Sequence, residues 1–197
     1  MKLSGELTEC HFPYDQKNQE SPCEQRAYVK SVVDGLTFNQ LMKLSNGSDI
    51  RLHMILTSVL NVLLYKYTGH TDIIVVTPVL KQETEADFIN TILILRNQLR
   101  NEMTYKELLL QTREMLNDAT QNQNYPLLSL YEQIMGHSGS DYSALFHVGI
   151  LLENIHDHNY LLSNQPEVLF SFLKTNEVLS WRLHFRPIDT TELAFKE

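Results

Sequence analysis

Apolar positions along the chain follow two rhythms, and the switches between them outline the elements. Residues 1–27 follow neither: they are polar, carry Pro13 and Pro22, and read as an irregular lead-in. Tyr28 to Val33 is β-branched and aromatic, a short strand. Leu36 to Leu44 takes a helical period with Phe38, Leu41 and Met42 on one face. Thr37 is its expected N-cap and Asn46-Gly47 its stop. A longer helix is predicted from Ile50 to Tyr67, closed by Gly69. Its apolar face, Leu52, Ile55, Leu56, Val59, Leu60, Leu63 and Leu64, is broad enough to pack on a sheet. Ile73 to Val76 is a continuous β-branched run ending at Pro78, the pattern of a central strand. Lys81 to Asp87 reads as a loop, and Phe88 to Leu95 as a second strand leading to Arg96.

Thr104 and Glu107 have the spacing of a capping box, which opens a helix with Leu108, Leu109, Thr112, Met115, Leu116 and Ala119 on one side. Pro126 sits at a natural first position for another helix, Leu127 to Met135. Past Gly139 three strands are predicted: Ala144 to Leu152, Val168 to Leu173 and Val178 to Phe185. His156 to Gln165 is the loop between the first two, and Thr175-Asn176-Glu177 the turn between the last two. The order β-α-α-β-β-α-α-β-β-β defines an α/β chain: an open mixed sheet with helices packed against it.

Charge narrows the partners. Lys+Arg number 16 and Asp+Glu 24, a net charge of −8 with neutral His. Nucleic acid and anionic membrane surfaces, which attract cationic proteins, are therefore not expected partners. At 197 residues and 43% apolar content, the chain is large enough and apolar enough to bury a core. Two cysteines, Cys10 and Cys23, make no disulfide scaffold, and the start lacks a signal-peptide core, so a cytoplasmic location with reduced thiols is expected. Leu52 to Leu64 is too short and too interrupted, by His53, Thr57, Ser58 and Asn61, to span a bilayer. Asn46-Gly47-Ser48 fits a glycosylation sequon and is read as a turn.

Candidate chemistry is sparse. Gly136-His137-Ser138-Gly139-Ser140 approaches a nucleophile elbow, but a helix precedes it and a strand follows, the reverse of what the elbow needs; it reads as a loop. His156-Asp157-His158 offers two imidazoles to a metal without a third ligand at a recognisable spacing, and is read as a solvated loop. His147 and His184 alternate with apolar residues on predicted strands, so one of them is a candidate to face a cleft. Phosphate loops, dinucleotide fingerprints and the H-E-x-x-H zinc motif are absent from the sequence.

Five stretches carry more. Lys2 to Leu7 opens the chain, and Leu63 to Asp72 leads into Ile73 to Val76 and then Thr77-Pro78-Val79. Phe88-Ile89-Asn90-Thr91 stands five residues ahead of Arg96. Asn122-Gln123-Asn124-Tyr125-Pro126 follows, then Asp141-Tyr142-Ser143-Ala144-Leu145-Phe146, running on to Glu153-Asn154. In this order and spacing they resemble the C-terminal lobe of a nonribosomal peptide synthetase condensation domain. The family patterns they resemble are Gly-Thr-Pro-Val, Phe-Val-Asn-Thr, His-Gln-Asp-Tyr-Pro-Phe and Arg-Asp-x-Ser-Arg-Asn-Pro-Leu-Phe. Residues 28–197 would be that lobe, and 1–27 the lead-in from the N-terminal lobe.

The resemblance implies a chloramphenicol-acetyltransferase-like fold, in which two lobes form a V around a tunnel. There an acceptor amine attacks a carrier-bound thioester to make an amide. It implies no cofactor bound by this chain, the 4'-phosphopantetheine being carried by peptidyl and aminoacyl carrier proteins. Those carriers, the N-terminal lobe and adjacent synthetase domains are the implied partners. Asn90, Thr91, Arg96, Asn124, Tyr125, Pro126, Asp141 and Ser143 are the candidates for lining the tunnel or its motifs. Within that set Arg96 is expected to pair with a carboxylate at a strand end, Asn90 to satisfy its amide within a β-branched run, and Tyr125-Pro126 to open a helix. No catalytic residue is expected here, because the family's His-His-x-x-x-Asp-Gly lies in the other lobe and this sequence has no adjacent His pair. Ala86, Asn122, Asn124 and Ser140 depart from the family patterns. They keep open the alternative of a degenerate, non-catalytic module for carrier-protein or domain–domain interaction. A lone lobe is also expected to expose apolar surface and to self-associate.

Overall fold

A computed structural model of the chain describes residues 26–81, 90–124, 147–162 and 166–185. In chain order its elements are β1 (Ala27–Val33), α1 (Gly35–Ser45), α2 (Asp49–Thr68), β2 (Asp72–Pro78), β3 (Ile92–Gln98), α3 (Tyr105–Gln121), β4 (Val148–Leu152), a one-turn α4 (Asn159–Leu162), β5 (Val168–Lys174) and β6 (Leu179–Phe185). The six strands form one sheet in the order β1-β6-β5-β4-β2-β3. β2 and β4 run parallel, as do β4 and β5, while the remaining pairs are antiparallel. This is the open mixed sheet the hydrophobic rhythm predicts.

Strand alternation divides the core. Ile73, Val75, Val148, Ile150, Leu152 and Leu179 pack with Phe38 of α1 and Leu52, Leu56, Leu60 and Leu64 of α2. The opposite face carries Ile74, Val76, Ile92, Ile94, Leu151 and Leu169, joined by Leu161 of α4. A third cluster, Val79, Leu93, Leu95, Met115 and Leu116, lies under α3. At the sheet centre Gly149 permits close approach: a Cβ there would stand 3.1 Å from both Leu169 Cδ1 and Pro166 Cγ.

Local signals set the helix ends. Asn46 and Gly47 take the left-handed conformation and their N–H groups return to Lys43 and Met42, which stops α1. Ser48 then caps α2 by accepting from the Arg51 N–H. Thr104 and Glu107 form the expected capping box of α3. Thr37 is not a cap: the N-cap position lies three residues earlier, at Asp34, because Gly35 at positive φ lets the chain turn in at once. The strand expected over Phe88 to Leu95 is shifted as well. β3 runs Ile92–Gln98 because it pairs along the whole of β2, from Pro78↔Ile92 to Asp72↔Gln98. The Leu127–Met135 helix and the 136–140 loop lie outside the described residues, and none of the described helices is long and apolar enough to cross a membrane.

Candidate functional site

Two parallel strands, β2 and β4, end side by side, and what leaves them is tied together. Leu80 bridges His156 in antiparallel fashion, the Lys81 N–H donates to Ile155 O (2.8 Å), and Lys81 Nζ donates to Glu153 O (2.8 Å). The crevice outside the carboxyl ends of parallel strands is where open α/β sheets usually hold ligands. Here it is a cleft of about 290 Å3 between the start of α2, the end of α3 and the sheet. Ile50, Met54, Leu80, Leu93, Leu116 and Ile155 supply apolar wall. His53, Thr77, Asn117, Thr120, Gln121 and His156 supply the polar groups.

The inner polar groups form one cluster. His53 Nε2 lies 3.1 Å from Thr77 Oγ1, and the His53 and His156 rings meet edge-on with centroids 4.5 Å apart. The Leu152 N–H donates to His156 Nδ1 (3.0 Å), so the neutral His156 ring carries its proton on Nε2. His53, Thr77 and His156 are all buried. Burial pushes the His53 imidazole from its ordinary 6.5 down to about 4. Burial, and then the neighbouring His53 and Lys81 charges, push His156 down to about 2. At neutral pH both rings are therefore hydrogen-bonding groups rather than cations, and weak bases. Thr57 and Asn61 follow His53 at four-residue spacing along α2; with Asn97 and Thr112 they carry buried side-chain polar atoms that find no partner among the described residues.

The same end of the sheet gathers part of the motif set. Asn90 Nδ2 donates to Gln123 O (2.6 Å), next to Asn124, and the Val79 N–H donates to Thr91 O (3.0 Å). Asn90 sits ahead of β3, not within it, and joins the β3 approach to the end of α3. Arg96 stands six residues further along, roughly 20 Å at strand rise, and is not part of this cluster. Its guanidinium grips Asp72 with Nε 2.9 Å and 3.1 Å from the two carboxylate oxygens and Nη2 2.6 Å from Oδ2. That charge-assisted fork raises the Arg96 pKa further. Tyr125, Pro126, Asp141 and Ser143 lie outside the described residues.

The histidines fall differently from the sequence reading. His156, assigned to a solvated loop, is buried and bridged. Asp157 instead accepts from the Asn159 N–H at the start of α4, and the His158 ring lies 5.9 Å from that of His184. His147 Nδ1 lies 3.1 Å from a Glu167 carboxylate oxygen, and neither His147 nor His184 lines the cleft; His53 and His156 do. Among the described residues no three His, Cys, Asp or Glu side chains are grouped to hold a metal ion. His53 sits in an apolar helix, where a lone polar residue reads as an interruption. The available signal was its i, i+4, i+8 spacing with Thr57 and Asn61.

The open mixed sheet of this order, with helices laid on it, has the chloramphenicol-acetyltransferase-like fold of its solved structural neighbours. Within that class, residues 1–183 match the Condensation domain family, and the chain belongs to it. It is 36% identical over 159 residues to one of the linear gramicidin synthase proteins of Brevibacillus parabrevis, a match covering 78% of this chain and 3% of that protein. A second protein of the same synthase is 38% identical over 160 residues, again 78% of this chain and 3% of the relative. The chain thus spans a few per cent of the length of these curated relatives. Among solved structures, a chain of the complex of the X-domain and OxyB from teicoplanin biosynthesis superposes with a TM-score of 0.74 at 16% identity, covering 98% of this chain and 47% of that one. The starter condensation domain of rhizomide synthetase RzmA, in complex with C8-CoA, gives 0.64 at 18% identity, covering 92% and 44%. At such identities these two likenesses concern the fold.

Proposed function

We propose that the chain is the C-terminal lobe of a nonribosomal peptide synthetase condensation domain and forms one wall of the tunnel in which an acceptor amine attacks a carrier-bound thioester. The observation that carries the reading is the convergence of Thr77-Pro78-Val79, Asn90-Thr91 and Gln123-Asn124 at one end of the sheet, in a chain that covers a little under half of each of these solved neighbours. In this reading Asn90, Thr91, Asn124, Tyr125, Pro126, Asp141 and Ser143 face or brace the tunnel. Arg96 braces the sheet through Asp72. The lobe binds no cofactor of its own and meets 4'-phosphopantetheine on carrier proteins in the cytoplasm. Its partners are the N-terminal lobe and adjacent synthetase domains, and alone it self-associates.

The amide-forming step needs the His-His-x-x-x-Asp-Gly lobe, so this chain by itself does not condense. With aminoacyl-loaded donor and acceptor carriers, the chain alone yields no peptide above a carrier-only control. Adding an N-terminal lobe that contains the motif yields product. Product from the chain alone would overturn the reading. The departures at Asn122, Asn124 and Ser140 favour a second reading, a non-catalytic docking module, which predicts carrier binding but no product with either addition.

A further inference from the structure

We infer that the cleft between α2, α3 and the carboxyl end of β2 is a binding site for a small, neutral, aliphatic molecule carrying an amide or ester carbonyl. Size is the first constraint. About 290 Å3 equals the liquid volume of roughly ten waters, the lower end of the range for small-molecule sites. Charge is the second. Among the described residues no Asp, Glu, Lys or Arg lines the cleft, and its two imidazoles are neutral at pH 7. An ionic ligand would lose hydration there without a counter-charge.

The third constraint is the placement of polar groups. His156 Nδ1 is occupied by the Leu152 N–H, which leaves Nε2–H as the donor of a ring that lines the cleft. A carbonyl oxygen is the complement of an N–H donor. Asn117 and Gln121 stand on the exposed side of α3 at the mouth, able to pair with the remaining polar atoms of an amide or ester. Between these polar ends the wall is aliphatic and thioether, from Ile50, Met54, Leu80, Leu93, Leu116 and Ile155, and suits an alkyl chain. The inference stands on this chain's own residues, two of which, Thr77 and Pro78, belong to the stretch that the proposed function places at the tunnel end of the sheet.

The test uses the full chain and three probes of matched length: N-butylacetamide, hexanoate and hexylammonium. Methyl NMR of Met54 and ring-proton NMR of the histidines report occupancy. N-butylacetamide is expected to shift Met54, His53 and His156 resonances along one saturable curve, and each charged probe to bind at least tenfold more weakly. Thr120→Trp, on the exposed face at the mouth, should raise the amide Kd at least fivefold with an unchanged folded spectrum. His156→Leu should do the same by removing the donor; if that variant fails to fold, Thr120→Trp decides alone. Shifts that stay linear to the solubility limit, equal binding of hexanoate, or a Kd insensitive to Thr120→Trp would overturn the inference.

Discussion

β1 and β2 are seven-residue strands of similar chemistry with opposite surroundings. Ala-Tyr-Val-Lys-Ser-Val-Val has Tyr28, Val29 and Val32 more than half exposed, whereas Asp-Ile-Ile-Val-Val-Thr-Pro is buried from Ile73 onward. The difference is position. β2 has β3 on one side and β4 on the other, α2 across one face and the Leu151–Leu161–Leu169 cluster on the other. Among the described residues β1 pairs only with β6, at the end of the sheet. β-branched composition therefore selects a strand, and the number of neighbours decides what burial that strand receives.

The sharpest way to break this contrast is to delete side-chain volume from the central strand. Ile73 is fully buried against the α2 face. Ile73→Ala should cost about 3 to 4 kcal/mol, the transfer loss plus the cavity it leaves. Urea unfolding followed by circular dichroism gives the value. A loss under about 1 kcal/mol would mean that β2 is not the packed centre.

Acid probes the same centre through its histidines. The folded rings of His53 and His156 titrate near 4 and 2, below the 6.5 of the unfolded chain. Between those values the unfolded state binds more protons, so this stability is complete above about pH 6.5 and is lost as pH falls. For His53 alone the drop from 6.5 to about 4 corresponds to roughly 3 kcal/mol by pH 4. His53→Gln should flatten the unfolding free energy between pH 6.5 and 4 relative to wild type. His184, on β6 opposite Tyr28 of β1, is only partly buried; its pKa is lowered mainly by desolvation, with His158, Arg182 and Arg26 adding to it and Glu153 opposing. His184→Gln should flatten the profile much less. Equal effects at the two sites would erase the contrast between centre and edge.

The same contrast explains what could be read in advance. The elements were legible because each carries a local signal: period in α2, the capping box at Thr104, the turn at Asn46-Gly47, the β-branched run of β2. The motif order pointed to the end of the sheet where Asn90, Thr91 and Gln123 meet. The His53–His156 pair was not legible. Its partners stand 103 positions apart in number, and they meet only because α2 packs across β2 and β4 while the segment after β4 bridges the segment after β2. Val59 marks the same limit from the other side, since its helical position predicted burial and it is half exposed.

A middle case lies on β3, the other edge of the sheet. Arg96 and Asp72 hold each other with side chains 7% and 15% exposed, sheltered more like the centre than like β1. Arg96→Ala removes the fork from a largely buried carboxylate, so a loss of about 2 kcal/mol is expected. Thermal unfolding of Arg96→Ala, Asp72→Asn and the double variant gives the coupling. Additive losses would show that the fork contributes no pair energy.

The smallest effect belongs to β1. Val32 is about half exposed and faces Ser180 across the ladder, a pair with little apolar contact to lose. Val32→Ser changes strand preference and a small exposed area, so the loss should stay near 0.5 kcal/mol. The measurement is informative because of how it fails. If Val32→Ser costs 2 kcal/mol or more, and the cost grows with protein concentration, the exposed face of β1 is covered in solution by another molecule. The comparison would then hold for the lone chain and not for its assembled form. If the cost is small at every concentration, β1 is an edge in solution too, and the centre of the sheet carries the stability.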